Sequence, residues 1–219
     1  MESVLSPVMI SIKIALLATA FSFIIGTVLA YLLSRKTNIF TTIIETIILL
    51  PMIMPPTITG YILLLALSRD SIITQITGGN SLIFTWWAGV IASTLVAIPL
   101  MYQNAKGGFL SVSGRYEDIG KTLGLTRGRI IFNIDLPLIL PALISGMILA
   151  FARALGEFGA TLMVAGSIPG KTRTIASAIF FAVESGDLKT ANILLVIMVI
   201  ISFSLIFILN YILKRKKIK

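Results

Sequence analysis

The chain has 219 residues, 57% hydrophobic and 12% charged, with a mean hydropathy of +1.01 and a net charge of +9. That balance excludes an ordinary soluble domain. With no cysteine and no histidine, disulfides, thiol chemistry, haem and most zinc sites are excluded too, and no metal site or cofactor is expected.

Five runs are long enough to cross a bilayer as helices: 14–33, 47–67, 82–102, 136–155 and 193–213. A hydrocarbon core of about 30 Å needs about 20 residues rising about 1.5 Å each. The runs are apolar all round, whereas barrel strands alternate with period two, so the expected class is an all-α integral membrane protein. The start, Met1-Glu2-Ser3, lacks a basic leader and opens a run long enough to span, so the first helix is expected to be retained. Lys13 sits near its outer end, where a long side chain can snorkel to the interface.

The second run begins near Glu45 and carries Pro51, Pro55 and Pro56. Each proline removes a backbone donor and crowds the preceding turn, so this helix must bend or break near mid-membrane, either to line a pathway or only to shape the packing. A short loop over 69–81 turns at Gly78-Gly79-Asn80, and Trp86-Trp87 then fall where an interfacial aromatic belt belongs. The fourth run repeats small residues at Ala142, Gly146, Ala150 and Ala154, which lets another helix approach closely. In 156–192 the apolar pieces 160–165 and 175–183 are too short to cross. They fit an extension beyond a break followed by an external or re-entrant helix. The fifth run ends in Lys214, Arg215, Lys216, Lys217 and Lys219. No linker or repeat divides the chain, and 1–219 is expected to be one domain.

The basic residues are not gathered for nucleic acid. Arg35 and Lys36 follow the first run, and Lys106, Arg115, Lys121, Arg127 and Arg129 follow the third; the remaining cluster follows the fifth. The positive-inside rule therefore predicts a multi-pass protein of the cytoplasmic membrane, N-terminus outside and C-terminus cytoplasmic.

Two sites invite chemistry. Gly166-Ser167-Ile168-Pro169-Gly170-Lys171-Thr172 imitates a phosphate-binding loop. It has three residues between its glycines instead of four, no preceding buried strand, and an expected external position. It reads as a turn, suited to an external partner. Arg153 and Glu157 stand one helical turn apart, a spacing for an ion pair; the guanidinium could also meet a passing oxyanion. No histidine, cysteine or paired intramembrane aspartates supply an enzyme, and the acids Glu45, Asp135 and Glu157 lie at span ends rather than at the midplane ion sites of secondary transporters.

A polar island over 117–137, within a connection of about 104–135, interrupts this lipid-adapted chain. Ser113 is a candidate N-cap for a helix over 115–123 with Glu117 and Asp118 in its early turns. Gly124 is placed to end that helix in the left-handed region, and Thr126 to cap a second short helix reaching Asn133 before Leu136-Pro137 opens the next span. Ile119, Leu123, Ile130 and Phe132 call for something to bury against.

Gly124, nine residues, Ile134, one residue and Leu136-Pro137 resemble the EAA loop of binding-protein-dependent ABC importer permeases. Asp118-Ile119-Gly120, preceded by Glu117, stands where that family has Glu-Ala-Ala. The resemblance covers nearly the whole chain. The runs 153–161 and 169–174, with Leu50-Pro51, Pro55-Pro56-Thr57 and Phe84-Thr85-Trp86-Trp87, are similar to the molybdate-permease branch; sulfate permeases share much of this.

The resemblance implies a non-enzymatic transport subunit for molybdate or tungstate, with a sulfate or thiosulfate permease as the alternative. It implies two permease copies, an external oxyanion-binding protein and two copies of a cytoplasmic ATPase that uses the ATP. It assigns ATPase coupling to Glu117, Asp118, Gly120, Gly124, Ile134, Leu136 and Pro137. Pro55, Pro56, Arg153 and Glu157 are the candidate pathway residues.

Overall fold

The structure, a computed structural model, describes residues 2–34, 36–69, 71, 75, 81–112 and 114–216. The turn at Gly78-Gly79-Asn80, the cap at Ser113 and the side chain of Glu117 lie outside the described residues. Within them the chain is helical: α1 (Glu2–Leu33), α2 (Ile39–Ile53), α3 (Pro56–Leu67), α4 (Trp86–Ser111), α5 (Gly114–Thr122), α6 (Arg127–Leu155), α7 (Gly159–Ala165), α8 (Ile175–Glu184) and α9 (Leu188–Lys216). Four of these, α1, α4, α6 and α9, are long and apolar enough to cross a membrane, and α2 with α3 passes the same test only as a bent pair, which gives up to five spans when that pair is counted as one.

Proline chemistry produces that break. A residue before proline is pushed out of the helical region, and here two such residues follow one another. Met54 precedes Pro55 and takes φ −68°, ψ 141°; Pro55 precedes Pro56 and takes φ −53°, ψ 136°. Pro56 then opens α3 at a position where a missing N–H costs nothing. The result is a bend of 114° between α2 and α3. Pro51 stays within α2. At the other end of α2 the Asn38 carboxamide oxygen accepts from the N–H and the hydroxyl of Thr41 at 2.8 and 2.6 Å, fixing its start.

The core is the α1–α4–α6 stack, and small residues set its spacing. A Cβ added to Gly108 would stand 2.9 Å from Ala142 Cβ, and one added to Gly146 would stand 3.0 Å from Asn104 Cβ. Ala150 and Ala154 are buried in the same stack, so the expected stripe on α6 is a contact face. Met101, Tyr102 and Ile139 fill the space between.

Several boundaries differ from expectation. The first helix extends back to Glu2, and Ser11 Oγ accepts from the N–H of Ile175 at 2.8 Å, seating α8 against it. The third span starts at Trp86 instead of 82 and runs to Ser111, so 104–111 are helix rather than connection. The short helix expected to stop at Asn133 does not stop. It passes through a π turn, Ile131–Asp135, and continues as one helix to Leu155. Pro137 accounts for the wide turn: it has no N–H for the carbonyl of Asn133 and its ring crowds that carbonyl. The Leu136 N–H reaches back to Ile131 O instead. The pieces at α7 and α8 are short, as expected, and neither is a sixth span.

Candidate functional site

At one end of the molecule α5 and the start of α6 form a hairpin. Gly124 terminates α5 with φ +74°, and the Leu125 N–H donates to Gly120 O at 3.0 Å, closing the turn. This is the backbone arrangement by which a left-handed residue satisfies the last carbonyls of a helix. Thr126 occupies the start of α6, though its side chain makes no capping bond there. Gly120 serves differently. A Cβ there would lie 2.9 Å from Ile130 Cγ1 and 3.3 Å from Ile134 Cδ1, so the glycine lets the arms of the hairpin touch.

That contact corrects one expectation. Ile130 needs no outside partner, being 2% exposed beneath Gly120. Ile119, Leu123 and Phe132 do remain outside, at 55%, 73% and 71% exposure, joined by Tyr116. Asp118 and Pro137 are exposed; Leu136 and Ile134 are half-buried. The hairpin is also tied to α1: Arg127 Nε donates to Tyr31 Oη at 3.0 Å, and Tyr31 packs edge-on to Phe109 of α4. Asp135, within the π turn, is buried with Oδ1 lacking a partner among the described residues.

Toward the other end the two interrupted helices meet at their breaks. A Cβ on Gly159 would be 2.7 Å from Pro56 Cβ, and one on Gly60 would be 3.0 Å from Ala160 Cα. So α3 and α7 cross backbone against backbone, and Pro56 is brought to the segment that carries Arg153 and Glu157. Arg153 Nη1 donates to Glu157 Oε2 at 2.6 Å, while Glu157 Oε1 accepts from the Ala160 N–H at 2.9 Å. The Glu157 side chain is 1% exposed and that of Arg153 is 32% exposed. The carboxylate thus caps α7 and anchors a guanidinium that keeps about a third of its side chain exposed, an arrangement able to meet an anion. Thr59 and Thr161, on α3 and α7, are buried with hydroxyls lacking partners among the described residues.

Sequence reasoning missed one ion pair. Lys106 Nζ donates to Glu45 Oε1 at 2.6 Å, and Tyr102 Oη donates to the same oxygen at 2.8 Å, joining α2 to α4. The available signal was Tyr102 and Lys106 at i and i+4 on a helix, opposite the lone acid of another. Among the described residues no cluster of histidine, cysteine, aspartate or glutamate could hold a metal. The glycine-rich 166–172 segment is a closed turn: the N–H groups of Lys171, Thr172 and Arg173 all point to Ile168 O, at 3.0–3.1 Å.

The family model described as binding-protein-dependent transport system inner membrane component matches residues 9–219. Over 92% of its length the chain is 42% identical to a provisionally named molybdenum transport system permease protein, YvgM, of Bacillus subtilis (strain 168), covering 90% of that protein. It is 35% identical to the molybdenum transport system permease protein ModB of Escherichia coli (strain K12), over 91% of this chain and 89% of that one. In fold it is similar to a chain of a bacterial alginate ABC transporter crystallised in complex with an alginate pentasaccharide-bound periplasmic protein. The TM-score there is 0.75 at 15% identity, over 96% of this chain and 78% of that one.

Proposed function

The chain belongs to the family of binding-protein-dependent transport system inner membrane components, and we propose that within it this protein is the permease subunit for molybdate or tungstate. Two copies enclose the pathway, an external binding protein delivers the oxyanion, and two ATPase subunits drive transport from the cytoplasm. The chain itself performs no catalysis. The molybdenum-named relatives support the choice of anion.

The observation that carries the mechanism is the hairpin: a turn closed by Gly124, with Ile119, Leu123 and Phe132 outward. Glu117, Asp118, Gly120, Gly124, Ile134, Leu136 and Pro137 form or support the face that docks on the ATPase. The hairpin end faces the cytoplasm, as the basic residues around it require, which leaves the N-terminus outside. Because α6 is one helix from Arg127 to Leu155, a displacement of the hairpin reaches Arg153 roughly 40 Å away at about 1.5 Å per residue. The Arg127–Tyr31 bond carries the same displacement into α1. Packed helices switch between discrete arrangements, so ATP closure on the hairpin selects between inward-open and outward-open packings. Arg153, oriented by Glu157, offers guanidinium donors to the anion near the crossing at Pro55-Pro56.

The test is reconstitution of the permease with an oxyanion-binding protein and an ATPase in vesicles. Molybdate uptake that depends on both partners and on ATP is the expected result. Preferential sulfate uptake would reject the substrate, and uptake without ATP would reject the mechanism.

A further inference from the structure

Two hollows lie along the α1–α4 pair, and Trp87 borders both. The more apolar one, about 370 Å³, is walled by Phe21, Ile25, Leu63, Val90 and Ile98. Its one hydroxyl, on Thr94, is already donated to Val90 O at 2.7 Å. Such a surface holds neither water nor ions well. The other hollow, about 490 Å³ at the Trp86 end, is lined by Lys13, Lys171, Phe84, Thr85 and Trp86. Lys13 Nζ stands 3.7 Å from the Trp86 ring centroid, and the Trp86 and Trp87 rings stack at 4.2 Å. Neither lysine is paired with a carboxylate among the described residues.

Depth fits the same picture. From Lys13 to Ile25, and from Trp86 to Ile98, each helix rises about 18 Å, close to the roughly 15 Å hydrocarbon depth of one leaflet. The tryptophans then lie at headgroup level, where amphipathic rings favour the interface. A cationic, aromatic mouth above an apolar trough matches a lipid in both charge and shape. A free oxyanion would leave the trough unused, and a zwitterionic lipid would bring no net negative charge to the two ammonium groups.

We propose that the two hollows, which share Trp87 as a wall, together bind one anionic phospholipid, with an acyl chain in the Phe21–Leu63–Ile98 trough and its phosphate held by Lys13 and Lys171. The site is independent of the transport reading, since neither lysine belongs to the coupling face or the pathway.

Trp86 and Trp87 are the chain's two tryptophans, so intrinsic emission reports this site directly. The full-length permease is reconstituted in phosphatidylcholine vesicles containing phosphatidylglycerol brominated on its acyl chains, or brominated phosphatidylcholine at equal mole fraction. Quenching by the anionic lipid should exceed that by the neutral one, with an enrichment of about fivefold per lysine. The Lys13→Gln/Lys171→Gln double variant should abolish the difference, and Lys13→Arg/Lys171→Arg should keep it. Millimolar molybdate or sulfate in the bath should leave it unchanged. Equal quenching by the two lipids in the unmodified protein overturns the proposal. So does a preference that survives the double glutamine variant, and displacement by molybdate or sulfate would instead identify a free-oxyanion site.

Discussion

Replacing Gly124 isolates backbone conformation from packing. At φ +74° an L side chain is disfavoured, yet no heavy atom lies within 4 Å of where a Cβ would stand. Size therefore cannot matter inside the chain, and the whole penalty is local. For alanine it is about 1–2 kcal/mol, the ordinary cost of the left-handed region. Asparagine visits that region more readily and should cost less; valine, β-branched, should cost more. A penalty of one or two kcal/mol changes the population of the closed turn by about 5–30-fold.

If the hairpin passes ATPase motion into the membrane, loosening the turn should lower oxyanion uptake per ATP hydrolysed in the order Asn, Ala, Val. Insertion and thermal stability should change little, because the turn is exposed. The assay is parallel measurement of uptake and phosphate release in proteoliposomes with the ATPase and binding protein. Undiminished coupling in Gly124→Val would refute the docking role. Equal damage from asparagine and valine would show that direct contact with a partner, not backbone strain, sets the effect.

Gly159→Val should wedge α3 from α7, because its Cβ would meet the rigid Pro56 ring at 2.7 Å; overpacking of this kind costs about 1–3 kcal/mol and should appear as a lower melting temperature. Glu157→Ala leaves the Ala160 N–H without its acceptor and should destabilise by about 1–3 kcal/mol, whereas Glu157→Gln, which keeps an acceptor oxygen, should lose less. Melting curves of the three proteins decide, and equal loss from both variants would place the effect in the Arg153 pairing alone. A double-mutant cycle between Glu45→Gln and Lys106→Met should return a favourable coupling energy of about 1 kcal/mol, held down by the partial exposure of both groups, and zero coupling would dismiss the pair as incidental. The Asp187 carboxyl, outside the spans, is held below the ordinary carboxylate range by hydrogen bonds from the Thr190 side chain and backbone. Its stabilising share is present at neutral pH and is lost as pH falls through that lowered value. The melting-temperature gap between the unmodified protein and Asp187→Asn should therefore close in acid.

Features governed by one residue or one helical turn were legible in the sequence. Proline restricts its neighbour, so the break at Pro55-Pro56 could be placed before any contact was known. Gly124 was placed by the same local logic, and Arg153 with Glu157 by i, i+4 spacing. The features that escaped depend on distant partners. Glu45 meets Lys106 only because α2 and α4 lie side by side, Gly159 matters only because Pro56 stands opposite, and Ile130 is buried only because Gly120 has no side chain. The continuation of α6 was missed because Pro137 ordinarily signals a helix start, while a wider turn can absorb it within an unbroken helix.

The π turn at Ile131–Asp135 also acts as a phase shifter. Along the span, Ile139, Leu143, Gly146, Ala150 and Ala154 trace one buried line; run backward at helical spacing, that line passes Asp135 and would bury Phe132. The extra residue rotates the leading segment by about 100° relative to the span, turning Phe132 outward and bringing Ile130 under Gly120. One continuous helix thereby presents its packing face to the bundle and, about a quarter-turn out of phase, a second face at the hairpin.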